Sequence, residues 1–170
     1  IVDPDRKWIK YWNSLQLLSA VYGYTVVIWR VAFRSGAPMP RMSSDVTCAI
    51  DWATDALLYM HMALQLVIGY TDASNNKVLD SAKIVRRYLS SRRFPVHVLA
   101  GLPVDLLLQL WMWRWIPISR ANRLLRVLEL RGLLKHLLDA FRVRVHFQRL
   151  LWQLVMVMLF AHTIACGYFM

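Results

Sequence analysis

Acidic residues are scarce in this chain of 170 residues: ten Asp and Glu stand against 21 Lys and Arg, a formal net charge of +11. Cysteine is nearly absent. Cys48 and Cys166 lie far apart, in or beside apolar runs, and read as two buried thiols rather than a disulfide. No set of His, Cys, Asp and Glu has metal-ligand spacing, so no metal site is expected. No nucleophile elbow or phosphate-binding glycine loop occurs either, so no catalytic residue and no enzyme is expected. Internal repeats and low-complexity tracts are missing. The opening IVDPDRKWIK lacks both a signal-peptide core and an initiator Met, which reads as a piece of a longer protein.

Apolar residues, by contrast, make up 58% of the chain, and the mean hydropathy of +0.37 is high for a soluble domain. Combined with the basic excess, this fits a membrane protein with basic flanks. A nucleic-acid binder would place its arginines on a polar face with aromatics between them. Here the aromatics sit in the apolar runs, so the expected partner is a lipid bilayer and not a nucleic acid.

The segment Ser119 to Lys135, SRANRLLRVLELRGLLK, sets Arg120, Arg123 and Arg126 at every third position among leucines and valines. One charge near a bilayer centre costs about 2.5–3.5 kcal/mol on insertion scales. Three together require water-filled crevices and carboxylates from neighbouring helices. A basic amphipathic helix lying on a membrane surface is the simpler reading of the stretch alone, and the flanking apolar runs weigh against it.

Those runs divide the chain into candidate spans at 12–33, 46–70, 94–113 and 116–138, a linker helix over 139–149, and a fifth span over 150–170, each span long enough for a bilayer. Asp51 and Asp55, four apart, share a helix face in the second span. Asp105 lies in the third, just past Pro103, which is expected to bend or break that helix. These three carboxylates are the candidate partners of the arginines. The segments before residue 12, over 71–93 and over 139–149 carry most of the Lys and Arg, whereas the alternate loops hold only Arg34, Arg41 and Arg114. That bias places the basic segments on the cytoplasmic side.

Five stretches in order carry a family likeness: Val2-Asp3-Pro4 with VVIWRVAF (26–33); DWATDALLYMHM (51–62) with Gly69-Tyr70; RRFPVHVLAGLPVDLL (92–107); RANRLLR (120–126); and AHTIACGYF (161–169) with His162, Ala165 and Cys166. They resemble spans one to five of the cyclic-nucleotide-gated cation channel family and, more distantly, hyperpolarisation-activated channels and related potassium channels. The resemblance implies an all-α membrane protein. It would have a four-helix voltage-sensor-like bundle over 1–138, an interfacial linker helix, and a fifth helix beginning a pore domain. It also implies a tetramer of channel subunits passing monovalent cations or calcium, with cAMP or cGMP bound in a cytoplasmic domain outside these residues. The location expected is an integral protein of the plasma membrane, or of a ciliary or flagellar one.

Three positions depart from the family pattern. His61 and His97 stand where acidic residues are usual in the second and third spans, and Glu129 stands where the basic series would continue. An imidazole hydrogen-bonded to Glu129 is one reading, and two neutral histidines packed among helices is the other. The resemblance assigns Arg120, Arg123 and Arg126 as sensor charges. Because Glu129 subtracts a charge, weak voltage sensitivity is expected. Two alternatives stay open: a non-conducting or structural membrane subunit that keeps the channel fold, and a voltage-sensor module attached to a transporter or membrane enzyme.

Overall fold

A computed structural model of the chain describes residues 1–3, 6–33, 46–72, 76–104, 107 and 117–169. The described residues are mostly helical. The elements are α1 (Lys7–Phe33), α2 (Val46–Gln65), a two-strand hairpin of β1 (Tyr70–Thr71) and β2 (Lys77–Val78), α3 (Ser81–Leu89) and α4 (Arg93–Gly101). A 3₁₀ helix (Pro117–Arg126), α5 (Val127–Ala140) and α6 (Val145–Tyr168) complete the order. Among the described residues, two helices are long and apolar enough to cross a membrane, over Trp8–Phe33 and Val145–Tyr168.

Helix α1 is the hub. It packs on the 3₁₀ helix and α5 along one side, on α6 along another and on α2 along a third, while α4 seats against the 3₁₀ helix and α2. Ala20, Leu130 and Leu159 form the core where α1, α5 and α6 meet, with Leu17, Tyr24, Val127 and Trp152 around it. Only 11% of the apolar stretch of α6 is buried, and Leu150, Leu154, Val157, Met158 and Phe160 are exposed along it. An uncovered apolar face of that size suits lipid or a further protein surface.

Several expected boundaries shift, each for a local reason. The second apolar run ends as a helix at Gln65, not Tyr70, because the chain turns there to pair with the N-terminus. Val2 N–H donates to Val67 O and Gly69 N–H to Val2 O, both at 3.0 Å. Residues 71–93, expected as a plain hydrophilic linker, hold the hairpin and α3. Asp80 caps α3 by accepting from Ala82 N–H at 3.0 Å, and Ile84 and Tyr88 on one face are its buried residues.

Helix α4 stops at Gly101, and Leu102 is extended, as the residue before Pro103 must be to avoid the proline ring. Asp105 and most of 105–116 lie outside the described residues, so the third span is described only in its first half. A separate linker helix over 139–149 is not present. Instead α5 runs to Ala140, and α6 starts at Val145 after a tight turn. Arg142 there has φ 54°, with Arg142 N–H donating to Asp139 O and Val143 N–H to Leu138 O, both at 3.0 Å. That is a Schellman cap with arginine in the left-handed position usually held by glycine.

Candidate functional site

The arginine series lies on a 3₁₀ helix, not an α-helix. With three residues per turn, Arg120, Arg123 and Arg126 fall on one line, each about 6 Å beyond the last. On α2, Asp51 and Asp55 are separated by four α-helical residues, again about 6 Å. The two ladders therefore match in pitch. Arg120 Nη1 meets Asp51 Oδ2, and Arg123 Nη2 meets Asp55 Oδ2. Both arginines sit in little-exposed positions between α1, α2 and α4.

Helix α1 supplies further partners. Arg30 Nη1 also meets Asp51 Oδ2, and Tyr22 Oη donates to Asp51 Oδ1 at 3.3 Å. Asp51 thus takes two guanidinium groups and a phenol. Arg126, only 5% exposed, donates to Ser19 Oγ and Gln16 Oε1, both at 3.0 Å. Gln16 in turn donates to Leu57 O at 3.0 Å, tying α1 to α2. Gln16 and Ser19 are three apart in an otherwise apolar helix, which is the available signal for a polar inward stripe. Arg30 is visible in the sequence as the single charge in that run.

Asn122 lies between the arginines and points the other way. Its amide reaches the carbonyl oxygens of Leu99, Ala100 and Leu102 at 3.1, 3.2 and 2.7 Å. It therefore caps the frayed end of α4 and fixes that helix to the 3₁₀ segment.

One turn below Arg126, the three unusual residues cluster. His97 Nε2 stands 2.6 Å from Glu129 Oε1, and both atoms are buried with no aligned hydrogen-bond partner. The other nitrogen, Nδ1, lies 2.8 Å from Tyr88 Oη. Burial and the nearby Glu129 carboxylate push the Tyr88 phenol up to about 12, so it keeps its proton at neutral pH. His61 packs edge-on against His97, ring centroids 5.4 Å apart. Its Nδ1 accepts from Trp12 Nε1 at 3.1 Å, and Gln65 Nε2 is 3.3 Å from its Nε2. A cavity of 690 Å³ opens beside them, reaching the hairpin and His136. Among the described residues no group of three or more potential ligands could hold a metal ion.

At the far end of α6, His162 Nε2 approaches Thr25 O at 3.0 Å, and Tyr24 Oη approaches Thr163 Oγ1 at 2.9 Å. These bonds fasten α6 to α1. Cys166 is a free, buried thiol with Sγ 3.7 Å from His162 Nε2, and Ala165 lies on the exposed side. The side chain of Cys48 falls outside the described residues.

No family model matches the chain. Curated proteins do. Potassium channel KAT4 of Oryza sativa subsp. japonica is 25% identical over 99% of this chain. A cyclic nucleotide-gated channel of Caenorhabditis elegans is 28% identical over 98%, and potassium channel KOR1 of Oryza sativa subsp. japonica is 23% identical over 99%. The chain spans 28%, 19% and 19% of the lengths of these three relatives. The matches span nearly the whole length of the chain, and the chain is similar to cyclic nucleotide-gated and related potassium channels, which supports membership of that superfamily.

Proposed function

We propose that the chain is the transmembrane voltage-sensor-like region of a cyclic-nucleotide-gated type cation channel subunit, weakly voltage sensitive and coupled to a pore formed largely by residues outside it. Residues 1–138 make the sensor-like domain. In it α1, α2, α4 with the residues after it, and the 3₁₀ helix with α5 are the four spans. Helix α6 begins the pore domain. The observation that carries this reading is the matched pitch of the arginine and aspartate ladders. A step of about 6 Å moves each arginine to the place its neighbour held, so the helix can exchange partners without leaving a guanidinium in hydrocarbon.

In this assignment Arg120, Arg123 and Arg126 are the sensor charges, and Asp51 and Asp55 their countercharges. Asp105 is a third candidate. Arg30, Tyr22, Gln16 and Ser19 belong to the stationary side. Each charge crossing the full potential contributes about 2.3 kcal/mol per 100 mV. Three arginines would give roughly 7 kcal/mol for each copy of the chain on that scale, and Glu129 moving with them removes one charge's share. The ligand is then the main gate, and cAMP or cGMP binds in a cytoplasmic domain outside these residues. Four copies assemble as a tetramer in the plasma membrane, and monovalent cations or calcium pass at its centre.

The test is gating-current recording from the full-length channel. A charge below three elementary units per copy that falls when Arg120 or Arg123 is replaced by Gln supports the reading. Three units or more contradicts the weak dependence, and no voltage-driven charge at all contradicts the sensor role.

A further inference from the structure

The unusual triad below Arg126 points to a role that the arginine ladder does not use. We propose that His97 and Glu129 form a cytoplasmic proton-binding site that holds the arginine-bearing helix in its present position, so that inner acid resists its inward travel. The inference rests on the sensor reading above.

The geometry supports it in three ways. First, His97 Nε2 and Glu129 Oε1 stand 2.6 Å apart, and neither buried atom has an aligned hydrogen-bond partner, so the pair offers a place for one added proton between them. With a neutral imidazole and an ionised carboxylate the pair carries a net charge of −1. One further proton makes it neutral. Second, Tyr88 Oη at Nδ1 can donate to a neutral ring or accept from a charged one. The site thus changes protonation without rearranging. Third, the cavity of 690 Å³ touches both residues, and Glu129 keeps 14% of its side chain exposed, so protons reach the pair from solution.

The groups around the pair set its selectivity for position. Helix α1 brings Trp12 and Asn13 to the cavity, both uncharged, and α2 brings His61 with Asp55 above it. Helix α3 contributes Tyr88 and Arg87, α4 contributes Arg93, and α5 contributes His136. From the 3₁₀ helix Arg126 interacts with Glu129. An inward step of three residues would take Glu129 towards the cytoplasm and put Arg126 opposite His97. There His97 faces a cation in place of the carboxylate, and the two-residue site no longer exists. The site therefore binds its proton in one position of the helix and releases it in the other. Linkage then gives up to a tenfold change in the ratio of the two positions per pH unit.

Full-length channels in inside-out patches test this, with the inner solution stepped between about pH 8 and about pH 6 across the imidazole range. Acidification is expected to move the charge–voltage curve to more negative potentials. The shift should vanish in Glu129→Gln. It should also vanish in His97→Gln, whose amide still donates to Glu129 but takes up no proton. Gating charge that is present and unmoved by pH in the unaltered channel overturns the proposal and leaves the sensor reading standing. So does a shift that persists in both variants. Absence of gating charge at every pH overturns the sensor reading instead. Proton binding is then read from the ¹⁵N shifts of the His97 ring in the full-length protein in lipid nanodiscs. A titration displaced by Glu129→Gln supports the site, and shifts constant across the range refute it.

Discussion

Asp51→Asn is the sharpest single test of the packing around the arginines. Asp51 is 7% exposed and receives Arg30 and Arg120 on one oxygen and the Tyr22 phenol on the other. The amide keeps the volume and one acceptor but removes the negative charge. Two guanidinium groups, 5% and 7% exposed, then lose the carboxylate they share. Breaking one buried ion pair by removing a partner costs about 3–5 kcal/mol. Two pairs on one oxygen do not add, so the same range is expected for the substitution as a whole.

The assay is thermal unfolding of the purified protein in nanodiscs, followed by tryptophan fluorescence. It is combined with a double-mutant cycle through Arg30→Met, which deletes the guanidinium on the stationary side. The charge imbalance is smaller in the double variant, so part of the loss should return, with a coupling energy of about 1–3 kcal/mol. Loss below about 1 kcal/mol in Asp51→Asn, the ordinary range for exposed pairs, would refute the claim that this carboxylate neutralises both arginines. A coupling energy near zero would show that Arg30 and Asp51 do not act together.

Other outcomes follow from individual contacts. Asn122→Ala removes the amide that serves three carbonyls at the end of α4, and a loss of about 1–3 kcal/mol is expected in the same unfolding assay. Arg142→Gly should raise stability by up to about 1 kcal/mol, because a residue at φ 54° loses its Cβ clash; a fall of similar size would show that the guanidinium has a partner that matters more. Gly69→Ala has no room: an added Cβ would lie 2.7 Å from Leu79 Cδ2 and 3.0 Å from the Val78 carbonyl. A cost of about 1–3 kcal/mol is expected, with faster amide exchange at Val2 and Gly69.

Much of this arrangement is legible in the chain because charge inside an apolar run is conspicuous. Arginines three apart and aspartates four apart can be read directly, and the fold brings Arg120 to Asp51 and Arg123 to Asp55. That the arginine segment is 3₁₀ is not legible. A period of three places residues on adjacent turns of either helix type, and only the register with α2 separates them. Gln16 and Ser19 do not stand out, because uncharged polar residues are common on buried helices. Helix α3 does carry a signal, since Asp80 as a cap and Ile84 with Tyr88 four apart are ordinary helix markers. The two-residue strands carry none, because so short a pairing leaves no periodicity. Nothing about Arg142 announces a left-handed residue, so the turn before α6 is hidden as well.

That turn has a mechanical consequence. Only residues 141–144 separate the helix carrying Glu129 from the one carrying His162, and the two also touch along their sides. A connector so short has no slack, and it cannot act as a long lever swinging beneath a neighbouring copy of the chain. Axial displacement of the first rod must push or pull on the second within the same polypeptide, and His162 at its far end is already anchored to Thr25. Force would therefore arrive as a bend in the second rod between a driven base and a fixed top.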